Sequence, residues 1–209
     1  DDTWCVAVTG EPGIGKSRLL TELGKFADTE GWTVRSARAA EFESHIPFGV
    51  FVNALDDRLA ELGPERLAAL GGQQLALLTT MFPSLPAAGP ADLVDAERYR
   101  LHRAVRALLE LLAEPSGLVL VFDDLHWADA ASLRSLAFLA PRLEDLGAAL
   151  VVATRPREAG TEAELLATLT TDPSAEVIHL PPLTRGAVAR LVESRLADVP
   201  DAVFVDACL

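Results

Sequence analysis

A glycine-rich octapeptide near the start of the chain constrains its fold more than any other feature. It reads Gly-Glu-Pro-Gly-Ile-Gly-Lys-Ser over residues 10–17 and matches the pattern G-x-x-x-x-G-K-[ST] at every defined position. Glycine lets the backbone turn tightly and approach phosphate oxygens, because it has no Cβ to intervene. The N–H groups of such a loop, with those of a following helix start, form a positive cradle for phosphates. The octapeptide therefore predicts a phosphate-binding loop between a strand and a helix.

The residues on either side of the loop have the patterns that this arrangement requires. The apolar run at 4–9 is typical of a strand buried on both faces. After the loop, apolar side chains recur at helical spacing, at Leu19, Leu20, Leu23 and Phe26. A glycine-rich turn that binds nothing is the alternative, but the strand–loop–helix order favours a nucleotide site.

Two side chains of the loop have separate predicted roles. Lys16 supplies a mobile charge for the β- and γ-phosphates, and Ser17 offers a hydroxyl to Mg²⁺. Arg18 either extends the site or lies on a solvated helix face. The residues of this segment that we expect to contact nucleotide are Gly10, Glu11, Pro12, Gly13, Ile14, Gly15, Lys16, Ser17 and Arg18.

Composition limits the class of protein and of partner. The chain has 209 residues, half of them hydrophobic, which is enough for one sizeable α/β domain. Its net charge of −13 would repel a phosphodiester backbone, so we expect no direct nucleic-acid contact from this segment. Cys5 and Cys208 lie at opposite ends without metal-ligand spacing. With no signal peptide and no apolar run near the ~20 residues that span a bilayer, the sequence predicts a cytoplasmic protein without membrane contact.

Strand and helix patterns alternate along the rest of the chain. Later strands are predicted at 32–38, 117–124, 147–153 and 176–180. Helices are predicted at 16–29, 129–143, 161–170, 184–196 and from about 201. A leucine-rich helical pattern of roughly three helices fills 50–112, with breaks near 63–64 and at 83–90. This order predicts a parallel sheet covered by helices on both faces, with a helical insertion between strands two and three.

The same pattern predicts the domain organisation. Residues 1–182 form a nucleotide-binding domain, with the insertion at about 50–114. Residues 183–209 are the start of a helical lid. The chain stops inside an apolar stretch that resembles an unfinished helix, so we expect a fragment of a longer protein.

Two acids follow the third predicted strand. Ligands of open α/β sheets bind beyond the carboxyl ends of the strands, which is where Asp123 and Asp124 fall. The pair is typical of a Walker B motif, in which Asp123 holds the Mg²⁺ shell and Asp124 polarises the attacking water. Because aspartate also favours turns and helix caps, a strand-end turn is the alternative. The phosphate-binding loop upstream favours the metal site.

Further candidates lie beside these acids. Thr154 and Arg155 end the next buried strand, where Thr154 could sense the γ-phosphate and Arg155 could place charge on it. An ion pair between Arg155 and a surface acid is the alternative. His126 either packs in the interior or orients Asp124 or a water molecule. Trp127 is expected to pack in the core, and nothing is assigned to His45, His102 or His179.

Three segments together resemble the ATPase module of the STAND class, in particular that of the large ATP-binding regulators of the LuxR type. They are residues 11–20, 122–129 and 153–156, and the run Asp-Asp-Leu-His-Trp-Ala-Asp at 123–129 is the most specific. The resemblance implies a three-layer P-loop NTPase fold of the additional-strand type, with sheet order 5-1-4-3-2. It also implies a lid, a winged helix, sensor repeats and a helix-turn-helix beyond the module.

The resemblance further implies a function. ATP would favour an open, self-associating state that activates transcription, ADP would favour a closed one, and slow hydrolysis would reset the switch. Residues 10–17 would bind phosphates, Asp123 and Asp124 would serve metal and water, and Arg155 would read the γ-phosphate. The chain lacks the Gly-Arg-Glu segment and the Gly-Asn-Pro turn usual in the family. Asp124 stands where motor-type relatives carry glutamate and is one methylene shorter, which fits a slow switch.

Two other functions remain open at this stage. The first is a true catalyst, either a motor ATPase or a kinase acting on a small molecule. The second is a nucleotide-binding module without turnover. The preference for ATP over GTP comes from the resemblance, because no base-reading residue is identifiable.

Overall fold

A five-stranded parallel sheet forms the centre of the computed structural model, which describes residues 3–85, 95–155, 161–173, 175–196 and 201–208. The order across the sheet is β2-β3-β4-β1-β5, which is the predicted order 5-1-4-3-2 read from the other edge. Each predicted strand is confirmed, with ends that differ by at most one residue. The strands are β1 (Cys5–Thr9), β2 (Thr33–Arg38), β3 (Leu118–Asp123), β4 (Ala148–Thr154) and β5 (Ala175–His179).

Helices connect the strands and cover both faces of the sheet. The α-helices of the described ranges are α1 (Lys16–Thr29), α2 (Gly49–Glu61), α3 (Pro64–Ala68), α4 (Gly72–Leu78), α5 (Asp95–Ala113), α6 (Ala130–Leu139), α7 (Thr161–Thr171), α8 (Arg185–Leu196) and α9 (Ala202–Ala207). Short 3₁₀ turns lie at Glu41–Glu43, Leu125–Trp127 and Ala140–Arg142. None of the described helices is long and apolar enough to cross a bilayer.

The predicted division of the insertion into three helices was wrong. The insertion contains α2, α3, α4 and α5, because Gly71 takes a left-handed conformation (φ +79°) and interrupts the leucine-rich run between α3 and α4. The predicted break at 83–90 lies partly outside the described residues. The position of the insertion between β2 and β3 is as predicted.

The helix predicted over 129–143 is also shorter than expected. Asp129 is its N-cap, and its side chain accepts a hydrogen bond from the Ser132 N–H. The α-helical part ends at Leu139, and residues 140–142 continue as a 3₁₀ turn. Pro141 explains the change, because it has no N–H to continue the α-helical bonding.

The alternation of side chains along the strands builds two apolar layers. On one face Cys5, Ala7 and Phe122 join a large cluster with the helices of the insertion and with α6 and α7. On the other face Val8 and Val121 pack under α1. The layer order is therefore helix–sheet–helix, as predicted. Cys5 acts as a small buried hydrophobe, and burial raises the pKa of its thiol to about 11.

All five strands point the same way, so their carboxyl ends meet at one edge of the sheet. β1 there leads into the glycine-rich loop, β3 ends at Asp123 and β4 ends at Thr154. Thr9 at the end of β1 lies in register with Thr154. The fold therefore brings the predicted loop, acids and γ-phosphate sensor to the same edge.

A tight packing of Gly117 on Trp32 gives a testable prediction about the fold. Gly117 precedes β3 at φ +80°, and a Cβ there would lie 2.5 Å from Trp32 Cζ3. We expect Gly117→Ala to lower the free energy of unfolding by about 2–4 kcal/mol, from left-handed strain plus overpacking. Gly147 precedes β4 at φ +61°, and a Cβ there would have no atom within 4 Å. Gly147→Ala should therefore lower the free energy of unfolding only through backbone strain, by about 1 kcal/mol. Equal losses for both variants in urea denaturation would contradict the steric explanation.

Candidate functional site

The glycine-rich loop has the backbone geometry that a phosphate cradle requires. Gly13 (φ +77°) and Gly15 (φ +105°) are left-handed, a conformation that side chains with a Cβ rarely adopt. At Gly10 the constraint is close approach, because a Cβ would lie 3.1 Å from Ile14 Cγ2 and 3.2 Å from the Leu180 carbonyl oxygen. The three glycines thus let the loop curl over the end of β1, directly before α1.

Lys16, the first residue of α1, folds back into this loop. Its Nζ donates to the carbonyl oxygens of Gly10 (2.7 Å) and Glu11 (2.9 Å), and the residue is only 6% exposed. An ammonium has three N–H donors, and the described residues accept from two of them. The buried ammonium is therefore held among the loop residues that are predicted to hold phosphates.

The acid pair at the end of β3 forms a tight turn. Asp124 adopts a left-handed conformation (φ +50°), which aspartate tolerates better than most residues. Its N–H donates to Oδ1 of Asp123 at 2.9 Å. Asp124 is 5% exposed, so its carboxylate needs partners inside the protein.

Arg38 supplies the closest charged partner of Asp124. Its Nε and Nη2 donate to Oδ2 of Asp124 at 2.9 and 2.6 Å, and its Nε lies 3.9 Å from Oδ2 of Asp123. Hydrogen bonding and attraction from Asp124 raise the pKa of the Arg38 guanidinium. Arg38 ends β2 in register with Asp123.

Sequence reasoning missed Arg38, although a signal for it existed. The predicted sheet order places strand two next to strand three, so their last residues are neighbours. A cation at the end of strand two therefore faces the acid pair.

Arg155 approaches Asp124 from the opposite side. Its Nη2 lies 3.8 Å from Oδ1 of Asp124, and its side chain is 37% exposed. Its Nε is buried, and no described residue accepts a hydrogen bond from that atom. Such an orphaned donor fits an oxyanion ligand. Thr154 is 5% exposed and donates through its hydroxyl to the Arg155 carbonyl oxygen at 3.2 Å.

The other predicted residues lie around this centre. Arg18 is on an exposed part of α1 and pairs with Glu22 at 3.0 Å. His126 is buried, with its ring centroid 5.1 Å from that of Trp127. Trp127 is half-buried against the core, as predicted. The orienting role suggested for His126 stays a prediction.

The two predicted metal ligands, Ser17 and Asp123, line the same open cavity of about 460 Å³. Ser17 from α1, Asp123 from β3 and Arg38 from β2 all line it. A hydroxyl and a carboxylate are oxygen donors of the kind that Mg²⁺ prefers when phosphate oxygens and water complete its shell. The donor set of Ser17 and Asp123 therefore fits the predicted cation.

Comparison with protein families places the chain in a known group. A family model described as an AAA ATPase domain matches residues 2–152. The chain belongs to this family. The match covers the glycine-rich loop, the helical insertion and the acid pair. It ends before Thr154 and Arg155. The protein is thus an ATPase domain of the P-loop class, and no curated protein matches it.

Solved structures similar to this AAA ATPase domain share little sequence with it. They include AMPPCP-bound DnaA from Aquifex aeolicus (12% identity, TM-score 0.47, 98% of this chain and 49% of that one). Cdc6p from Pyrobaculum aerophilum is also similar, with 18% identity and a TM-score of 0.47 over 94% of this chain and 44% of that one. So is a Walker-type ATPase of Pyrococcus abyssi, with 16% identity and a TM-score of 0.48 over 97% of this chain and 57% of that one. The chain spans about half the length of these proteins.

The fork of Arg38 on Asp124 gives a prediction about stability. Arg38→Ala leaves a buried carboxylate with Arg155 as its remaining described cation, so we expect a loss of about 1 kcal/mol, limited by the exposure of Arg38. Arg58→Ala is the matched control, because Arg58 pairs with the exposed Glu61 at 2.9 Å and should cost less than about 0.5 kcal/mol. Urea denaturation at pH 7 measures both. If the two variants lose the same free energy of unfolding, the hydrogen bonds from Arg38 to Asp124 do not stabilise the fold.

Proposed function

We propose that this AAA ATPase domain is a nucleotide-controlled switch with slow ATP hydrolysis. The observation that carries the proposal is the position of Asp124 between Arg38 and Arg155. A carboxylate and a terminal phosphate compete for the same guanidinium groups, because both are anions that planar N–H donors bind well. The arginine contacts would therefore differ between the ATP and ADP states.

The proposed roles of the site residues follow from their positions. The N–H groups of residues 10–17 and Lys16 would bind the phosphates, and Arg155 would meet the terminal phosphate with its orphaned Nε. Ser17 and Asp123 would hold Mg²⁺, which supplies charge neutralisation when bound. Asp124 would orient the attacking water. Glu11, Pro12, Ile14, Arg18 and Thr154 would complete the nucleotide surroundings.

Slow turnover is proposed because Asp124 is poorly placed to activate a water molecule. Aspartate is one methylene shorter than the glutamate of motor-type enzymes. Its Oδ2 is also forked by Arg38, so a water molecule must compete with that guanidinium. Both features reduce its availability as a general base.

The wider role of the domain is proposed from the resemblance to LuxR-type regulators of the STAND class. We propose that ATP favours self-association of a longer cytoplasmic transcription regulator. DNA contact would come from another domain, since this segment has a net charge of −13. Residues 1–182 would be the nucleotide-binding unit and residues 183–209 the start of a lid. Within the latter, Arg185 on α8 pairs with Asp206 on α9 at 2.6 Å.

Lys16 provides the first test of nucleotide binding. Lys16→Ala should weaken binding of Mg-ATP by at least about 30-fold in calorimetry, because a buried charged hydrogen bond to phosphate is lost. The only other lysine of the sequence, Lys25, lies on the same helix with a 64% exposed side chain. Lys25→Ala should bind normally. Equal affinities for the wild type and Lys16→Ala would reject the cradle, and parallel titration with GTP would test the base preference.

Asp124 provides the test of hydrolysis. Asp124→Asn should bind Mg-ATP within about threefold of the wild type and lose phosphate release by about 100-fold or more, as expected for a water-orienting acid. Asp123→Asn should instead weaken the Mg²⁺-dependent part of binding. Surviving turnover in Asp124→Asn would remove Asp124 from that role.

The rate of the wild-type protein separates the alternative functions. Steady-state release near ~10 per second, a typical enzyme value, would favour a motor or kinase over a slow switch. Tight ATP binding with no phosphate release would favour an inert binding module.

A further inference from the structure

Asp129 caps two helices with one buried carboxylate. The residue is 6% exposed. Its Oδ1 accepts from the N–H groups of Ser132 (2.9 Å) and Phe48 (3.0 Å). Its Oδ2 accepts from the Ser132 hydroxyl (2.5 Å) and from the Gly49 N–H (3.1 Å). Four donors from two helices therefore converge on one side chain.

Two of these four donors belong to a distant helix. Ser132 lies in α6, which Asp129 caps in the ordinary way. Phe48 and Gly49 form the start of α2, the first helix of the insertion. Phe48 is a left-handed N-cap (φ +61°) whose own side chain makes no cap bond. The start of α2 therefore takes its cap from Asp129, about 80 residues later in the chain.

Only a short, hydrogen-bonded turn separates Asp129 from Asp124. The Trp127 N–H donates to the Asp124 carbonyl oxygen (2.9 Å), and the Ala128 N–H donates to that of Leu125 (3.0 Å). Leu125 is fully buried, which anchors the turn in the core. Hydrogen bonds and core packing within residues 125–128 therefore connect Asp124 to Asp129.

The connection from β2 to α2 is attached to this turn at both ends. At its start, Arg38 forks onto Asp124 and the Ala39 N–H donates to the Asp123 carbonyl oxygen (3.0 Å). At its end, Phe48 and Gly49 bind Asp129. Residues 38–49 thus bridge the carboxylates of Asp124 and Asp129, which lie five positions apart in the sequence.

We propose that Asp129 is a positioning residue that couples the nucleotide site to the helical insertion. It fixes the turn that carries Asp124 against the start of α2, so that the two move together. The inference deepens the proposed function and rests on it. Through this coupling, the conformation of the insertion would change with the bound nucleotide. Conversely, the insertion would set the position of Asp124.

Two substitutions at Asp129 reduce the link to α2 by different amounts and keep the cap of α6: asparagine removes the bond to Gly49, and serine removes both bonds to α2. Asparagine and serine are both good N-caps. In Asp129→Asn, one side-chain oxygen remains for two of the N–H donors, while the amide nitrogen that replaces Oδ2 cannot accept from Gly49. In Asp129→Ser, the shorter side chain can cap α6 but no longer spans to α2. Ser132→Ala is the matched control, because it removes a bond within α6 and leaves both α2 bonds.

Hydrogen exchange with and without Mg-AMPPCP tests the coupling, with calorimetry to show that the analogue binds. In the wild type and in Ser132→Ala, the analogue should change exchange at Phe48 and Gly49 as well as in the glycine-rich loop. In Asp129→Asn, which keeps an oxygen for the Phe48 N–H, the Gly49 amide should exchange about tenfold faster and should no longer respond to the analogue, as expected for a lost charged hydrogen bond. In Asp129→Ser, both amides should exchange faster by about the same factor and lose their response. Affinity for the analogue should stay within about threefold, because the loop is intact.

Hydrolysis gives a second readout that a merely structural role would not move. Both Asp129 variants should lower kcat for ATP about tenfold with KM nearly unchanged, since Asp124 is misplaced while binding persists. If the analogue binds and exchange at residues 48 and 49 does not respond in the wild type, the coupling is refuted and the proposed function stands. If calorimetry shows no binding to the wild type, both proposals fail.

Discussion

The contacts of the Asp124 carboxylate are the interactions on which the site depends, because they join the ends of β2, β3 and β4. The carboxylate is buried at the end of β3, Arg38 reaches it from β2, and Arg155 reaches it from the end of β4. A buried anion must be balanced by cations, so its surroundings are sensitive to any further anion. A triphosphate placed in the neighbouring glycine-rich loop would be such an anion. In the proposed switch, the electrostatic balance at Asp124 would be the physical reason for different states with different nucleotides.

Lys16 and Asp129 show how the same sheet edge connects to the rest of the molecule. Lys16 donates hydrogen bonds to the carbonyl oxygens of its own loop, at the place where phosphates are expected. Asp129 accepts hydrogen bonds from the N–H groups at the starts of α2 and α6. One charged group therefore lies in the loop that is predicted to hold phosphates, and the other contacts the helical insertion. The turn of residues 124–128 leads directly to Asp129, so in the proposed switch the chemistry and the conformational change would share a few residues.

Local patterns were sufficient to predict most of the fold, because β1, β3 and β4 are largely buried apolar runs, and the more exposed β2 and β5 alternate with clear helical patterns. The insertion was predicted less well, since leucine-rich helices in sequence give no periodicity signal where one ends and another begins. Arg38 and the bonds from Asp129 to α2 were missed for a different reason. They join residues about 80 positions apart, and only the assembled sheet brings these residues together.

A crystal structure of the chain with Mg-AMPPCP would test the account most directly. The account predicts the phosphates against the N–H groups of residues 10–17, with Lys16 Nζ turned from the Gly10 and Glu11 carbonyl oxygens to a phosphate oxygen. It also predicts Mg²⁺ bound by Ser17 and Asp123, and Arg155 in contact with the terminal phosphate. An analogue bound elsewhere on the chain, or a loop still closed on Lys16 with the acid pair facing away from the ligand, would contradict it.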